Sequence, residues 1–186
     1  MSIAAAEQTR TTWKIDPAHS SVEFAVRHLM ITTVRGRFTG VQGTVVDDGA
    51  DPAKSAVEVV IDPATIDTRE PQRDAHLRSA DFFDVEKFPT LTFRSTGLDR
   101  RAGDRFKLSG ELTIHGVTRP VVLEVESEGQ VKDAWGGLRS GFTATTKIKR
   151  SEFGLTWNQL LEAGGVTVSD DVKISLDVQL IHSLSA

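Results

Sequence analysis

Apolar and polar residues alternate with period two through most of this chain. From Ser20, Val22, Phe24, Val26 and His28 fall on one face, while Ser21, Glu23, Ala25 and Arg27 fall on the other. That period belongs to a half-buried β-strand. It recurs at Val57, Val59 and Ile61, then at Leu91, Phe93 and Ser95. The cleanest instance is Phe106, Leu108, Gly110, Leu112 and Ile114, returning through a tight turn at His115-Gly116 to Val121, Leu123 and Val125. A paler register holds Leu138, Ser140, Phe142, Ala144, Thr146 and Ile148, and the last holds Val172, Ile174, Leu176, Val178 and Leu180. Between Val34 and Asp47 the apolar positions Val34, Phe38, Val41 and Val45 change register near Thr39-Gly40-Val41, where Gly36, Gly40 and Gly43 predict bends. Trp13-Lys14-Ile15-Asp16-Pro17 closes a shorter extended segment. The pattern predicts an all-β fold of about eight long antiparallel strands joined mostly by short turns, hence a meander. Closing it into a barrel hides both edges; a two-sheet sandwich is the alternative architecture.

One stretch, Arg73 to Phe93, breaks the alternation between the third and fourth strands. Asp67 or Thr68 can cap a helix whose first turn holds Glu70 and Pro71. Asp74 and Arg78 are spaced as an i,i+4 pair, and Arg73 and His76 as i,i+3 neighbours. Ser79 starts a second short turn, and Pro89 ends it. The insert is expected to cover one end of the barrel, with Phe82 and Phe83 as its apolar wedge.

The inward register carries few titratable groups. Strands of about ten residues, at about 3.3 Å each and tilted by about 40°, make a tube of order 25 Å. Such a tube is either filled by side chains or holds one long, thin, apolar guest. Small residues at Gly110, Ser140 and Ala144 argue for empty volume. The candidate lining is Val22, Phe24, Val26 and His28, Phe38, Leu91 and Phe93, Phe106, Leu108 and Leu112, Phe142 and Ile148, Phe153, and Leu176. Arg73, His76 and Arg150 are candidates for a polar gate; the alternative is that Arg73 and His76 only anchor the helix. His28 either meets a ligand head group or is satisfied by backbone at its strand end.

With 186 residues, a net charge of −4 and no cysteine, the chain suits one domain with a sizeable core, and it excludes thiolate chemistry. No basic stripe points to nucleic acid. His19, His28, His76, His115 and His182 lack the spacing of a metal site, so no metal and no cofactor is expected. No Gly-x-Ser-x-Gly elbow, nucleotide loop or carboxylate pair makes a reaction stand out. Residues 1–11 are expected to be a flexible tail ahead of a single domain at 12–186. No signal-peptide pattern or membrane-spanning run is visible, so a cytoplasmic location is expected. Exposed strands permit a homodimer.

The segments Trp13-Lys-Ile-Asp-Pro-Ala-His-Ser-Ser-Val-Glu-Phe, His28-Leu29, Ile66-Asp67-Thr68, Arg73 to Asp84, Phe88-Pro-Thr-Leu-Thr-Phe, Gly110 to Val121 and Arg150-Ser-Glu-Phe-Gly-Leu resemble, in order and spacing, the YceI-like polyisoprenoid-binding proteins of bacteria. Glu152 stands where Asp is more usual in that family. The resemblance implies an extended lipocalin-like barrel holding a polyisoprenoid, quinone, fatty amide or other lipid. It implies no catalytic constellation. An enzyme acting on an isoprenoid chain and a filled-core interaction barrel are the alternative functions.

Overall fold

The computed structural model describes residues 10–182. Its strands are β1 (Arg10–Ile15), β2 (Ser21–His28), β3 (Thr32–Phe38), β4 (Val41–Asp48), β5 (Ala56–Ile61), β6 (Ile66–Asp67), β7 (Leu91–Arg100), β8 (Arg105–Ile114), β9 (Val117–Lys132), β10 (Leu138–Lys149) and β11 (Val168–His182), with one helix, α1 (Pro71–Arg78). All pairings are antiparallel, and β1 closes the sheet on β11.

Three of these breaks are bends within one ribbon. β1 and β2 both run along β11, with Ile15 opposite Leu180 and Val22 opposite Leu176. At the bend, Asp16 accepts the Ala18 N–H at 3.1 Å, and Asp16 N–H and Ser20 Oγ both reach the Gln179 backbone. β3 and β4 break at Thr39-Gly40, and β5 and β6 at the Asp62-Pro63 turn. These two corners are bonded together: Gly40 N–H donates to Thr65 Oγ1 at 2.9 Å, and Asp62 N–H donates to the Gly40 carbonyl at 2.8 Å. Counted as ribbons, the barrel is an eight-stranded meander with the helix between the third and fourth, as the alternation predicts.

Several local expectations need correction. β1 begins at Arg10, inside the expected tail; the rest of that tail, residues 1–9, lies outside the described residues. The His182 ring, at the end of β11, packs edge-on against Trp13, centroids 5.1 Å apart. The cap of α1 is Glu70, whose carboxylate accepts the Gln72 and Arg73 N–H groups. Asp67 and Thr68 are good capping types, but Arg69 has a φ of 63° and turns the chain between them and the helix. Asp74 forms no pair with Arg78. It is buried, accepting from Thr68 N–H and Oγ1, while Arg78 donates to the carbonyls of Ala64 and Ile66. Gly36 and Gly110 are not bends or vacancies either. A Cβ at Gly36 would overlap the Phe24 ring, and one at Gly110 the Phe93 ring. Each aromatic lies across the glycine of the neighbouring strand.

The buried core gathers towards the helix end of the barrel: Phe38, Ile66, Leu91, Ile114, Ile148, Phe153 and Leu155, with Leu77 and Phe83 packed onto them. No helix among the described residues is long and apolar enough to cross a membrane.

Candidate functional site

The inward register does not fill the barrel. It encloses a cavity of about 760 Å³, within the ~300–1,000 Å³ range of ligand sites. Val22, Phe24, Val26 and His28 line it from β2, Phe38 from β3, and Leu91 and Phe93 from β7. Phe106, Leu108 and Leu112 line it from β8, Phe142 and Ile148 from β10, and Leu176 from β11. Phe153 stands apart: it is 1 % exposed and packs in the core beneath the Arg150–Phe153 turn, outside the cavity wall.

The helix end is roofed. Phe82 is buried and Phe83 meets Phe38 edge-on at 5.8 Å. Trp157, from the loop after the Arg150–Phe153 turn, completes the roof against Phe82 and His76, with centroids 5.2 and 4.8 Å away. The three polar candidates fasten this roof. Arg73 Nε donates to Thr68 Oγ1 at 2.7 Å and Nη2 to the Thr68 carbonyl at 2.8 Å. Thr68 Oγ1 in turn donates a hydrogen bond to Asp74 Oδ1 at 2.6 Å, which ties the cation to a carboxylate through one hydroxyl. His76 Nε2 lies 2.8 Å from Asp81 Oδ2. Arg150 is buried and donates to the carbonyls of Leu155, Trp157, Val168 and Ser169, so it clamps the roof loop to the start of β11. Burial presses its pKa down while Asp170 nearby pulls it up. All three also face the cavity. The His28 ring faces it too and has no hydrogen-bond partner among the described residues, so strand-end backbone does not satisfy it.

At the opposite end the lining becomes polar and reaches solvent: Asp47, Arg100, Gly129 and Gln130 are all exposed lining residues. Arg100 lies over the Phe106 ring, 5.6 Å from its centroid. This is the open mouth.

Leu98, Arg100 and Trp157 are lining residues that the alternation does not reveal. The register of β7 shifts between Ser95 and Gly97, where Ser95 Oγ takes the Val57 N–H at 2.8 Å, and this turns Leu98 and Arg100 inward. Gly97 is the visible trace of that bulge. Trp157 sits in a loop, where no period operates. The described residues contain no cluster of three or more His, Asp or Glu side chains placed to hold a metal.

A closed antiparallel meander around an apolar tunnel, roofed by one short helix, is a lipocalin-like barrel. The sequence profile of the YceI-like domain matches residues 13–180, and the chain belongs to that family. Protein YceI of Salmonella newport is 42 % identical over 146 residues, covering 77 % of this chain and 76 % of that protein. A UPF0312 protein of Vibrio cholerae is 41 % identical over 138 residues, covering 74 % and 73 %. Among solved structures, the Campylobacter jejuni YceI protein superimposes with a TM-score of 0.73 at 31 % identity, covering 85 % of this chain and 90 % of that one. A polyisoprenoid-binding domain from Saccharophagus degradans shares the fold, with a TM-score of 0.66 at 16 % identity over 92 % of this chain and 98 % of that one.

Proposed function

We propose that this protein binds a long-chain apolar or amphiphilic molecule in its tunnel, and so stores it or carries it through water. The observation that carries this reading is the unfilled cavity: apolar side chains from each of the eight ribbons surround a volume they do not occupy. Burying a chain there removes its apolar surface from water at about 25 cal/mol per Å². The described fold of the Saccharophagus degradans domain, named for polyisoprenoid binding, supports a polyisoprenoid as the guest class. An isoprenoid quinone or fatty amide fits the same lining. We favour a binding protein over an enzyme because Arg73, His76 and Arg150, polar groups that reach the tunnel at its roofed end, are committed to structural hydrogen bonds, and His28 faces the tunnel with no hydrogen-bond partner among the described residues to orient it for acid–base work.

Leu108→Trp tests the reading. Trp at this lining position occupies ligand volume. With the tunnel empty of side chains, the variant keeps its stability to within about 1 kcal/mol and loses binding of the lipophilic fluorophore N-phenyl-1-naphthylamine. A destabilisation of about 1–3 kcal/mol, the mark of overpacking, with no probe binding to either protein, sinks the proposal.

A further inference from the structure

The β9–β10 hairpin carries a feature that tunnel binding alone does not require. Its base lines the open mouth through Gly129, Gln130 and Ser140, and its tip presents Trp135 at 89 % exposure. Val131 and Leu138, 61 % and 39 % exposed, flank it on the two arms. The tip is rigidly built. Asp133 Oδ1 accepts the N–H groups of Trp135 and Gly137 at 3.0 and 2.8 Å, and Oδ2 accepts Arg139 Nε at 2.9 Å. Arg139 in turn donates to Asp16 at the barrel seam, 2.9 Å away. The Arg139 hydrogen bond and the Gly137 N–H hold the Asp133 carboxyl below the usual carboxylate range. A fixed turn thus keeps a large indole in water, where it has no packing partner.

We propose that this hairpin docks the open mouth onto a lipid bilayer, with Trp135 at the tip seated among the headgroups and Val131 and Leu138 behind it, one on each face of the hairpin. Three observations select a bilayer over a protein. A Trp side chain supplies ~150–250 Å² of contact, and two partly exposed aliphatics do not raise the patch to the ~800 Å² per partner of a stable protein interface. An amphipathic indole on a polar turn matches the membrane interface, where Trp is enriched. The patch also adjoins the mouth of an apolar tunnel, so a guest could pass from bilayer to barrel without crossing water; this last point rests on the tunnel reading above. Some charges at this rim are paired internally, Arg10 with Asp48, Arg101 with Asp99 and Arg105 with Glu126, and the other exposed ones are of both signs, Asp47, Asp104 and Glu128 beside Arg100 and Lys132. Docking should therefore depend little on lipid charge.

The test is flotation of the full chain with phosphatidylcholine vesicles, with and without phosphatidylglycerol. The wild type should float with both, and its Trp emission should shift to the blue. Trp135→Ser should lower partitioning about tenfold, the scale of burying one large apolar side chain, and Trp135→Phe should keep most of it. Ile31→Ser, at the exposed β2–β3 turn of the roofed end, should change nothing. Uptake of N-phenyl-1-naphthylamine without vesicles should be equal in wild type and Trp135→Ser. If neither takes up the probe while Trp135→Ser still floats less, docking stands and the tunnel reading falls. The proposal is overturned if the wild type does not float, if Trp135→Ser floats as well as wild type, or if Ile31→Ser is the variant that fails. It is also overturned if sedimentation without lipid shows a dimer that Trp135→Ser dissolves, for then the patch belongs to a second copy.

Discussion

Arg150 holds more of the roof than any other side chain. Its guanidinium serves four backbone carbonyls on two segments, and replacing it leaves them unpaired in a buried site. Arg150→Met should cost roughly 3 kcal/mol in urea unfolding. Arg150→Lys should recover only part of that, because a single ammonium cannot span the same carbonyls. A residue acting only as a gate would change ligand exchange and leave unfolding alone. Gly110 makes the opposite point. A Cβ there would overlap the Phe93 ring and lie 2.7 Å from the Arg94 carbonyl, so Gly110→Ala should destabilise by about 1–3 kcal/mol. Pairing it with Phe93→Leu should restore much of the loss, and a double-mutant cycle measures the coupling. The alternation correctly puts Gly110 on the inner face. That a ring from the next strand occupies the glycine's space depends on cross-strand register, which one strand's pattern does not contain.

At the scale of elements, most strands are legible because one face is buried and the other wet. The His115-Gly116 turn is legible too: both residues have positive φ, 52° and 72°, the hairpin geometry that asks for glycine. The short elements are harder. α1 is held by Glu70 rather than by Asp67 or Thr68, and Glu70→Ala should cost about 0.5–2 kcal/mol and raise hydrogen exchange in α1 before the strands. The barrel seam is an element of another kind. Asp16 joins the β1–β2 bend to His19, Arg139 and Gln179. Burial alone would raise its pKa, but the His19 hydrogen bond, the Ala18 N–H and Arg139 outweigh this and hold it below 3.8. A carboxyl depressed in the folded state contributes stability that is present above the unfolded pKa, about 3.9, and lost as pH falls through the folded value. The melting temperature should therefore drop on acidification below about pH 4. Asp16→Asn should melt lower at neutral pH and show a shallower acid drop. Asp133, depressed for related reasons, keeps that drop from vanishing.

For the whole molecule, the number of ribbons, their order and the place of the helix follow from chain pattern and short connections. Closure follows from the cost of leaving two sheet edges open. Whether the closed barrel is full does not follow, because the same inward Phe, Val and Leu residues can meet across the axis or stand apart. Strand tilt and the rings that lie over Gly36 and Gly110 decide that, and they leave a cavity of about 760 Å³. The candidate lining was legible wherever a strand kept one register. It failed at Phe153, which lies just past a strand end, and at Leu98, Arg100 and Trp157, where a bulge or a loop resets the side-chain direction. The central claim is that the tunnel holds a long apolar chain. Native mass spectrometry of protein purified without detergent tests it most directly. The account predicts a bound species of discrete added mass that extracts into organic solvent and is missing from Leu108→Trp. Bare protein from every preparation, still bare after incubation with polyprenyl phosphate, quinone or fatty amide, would contradict it.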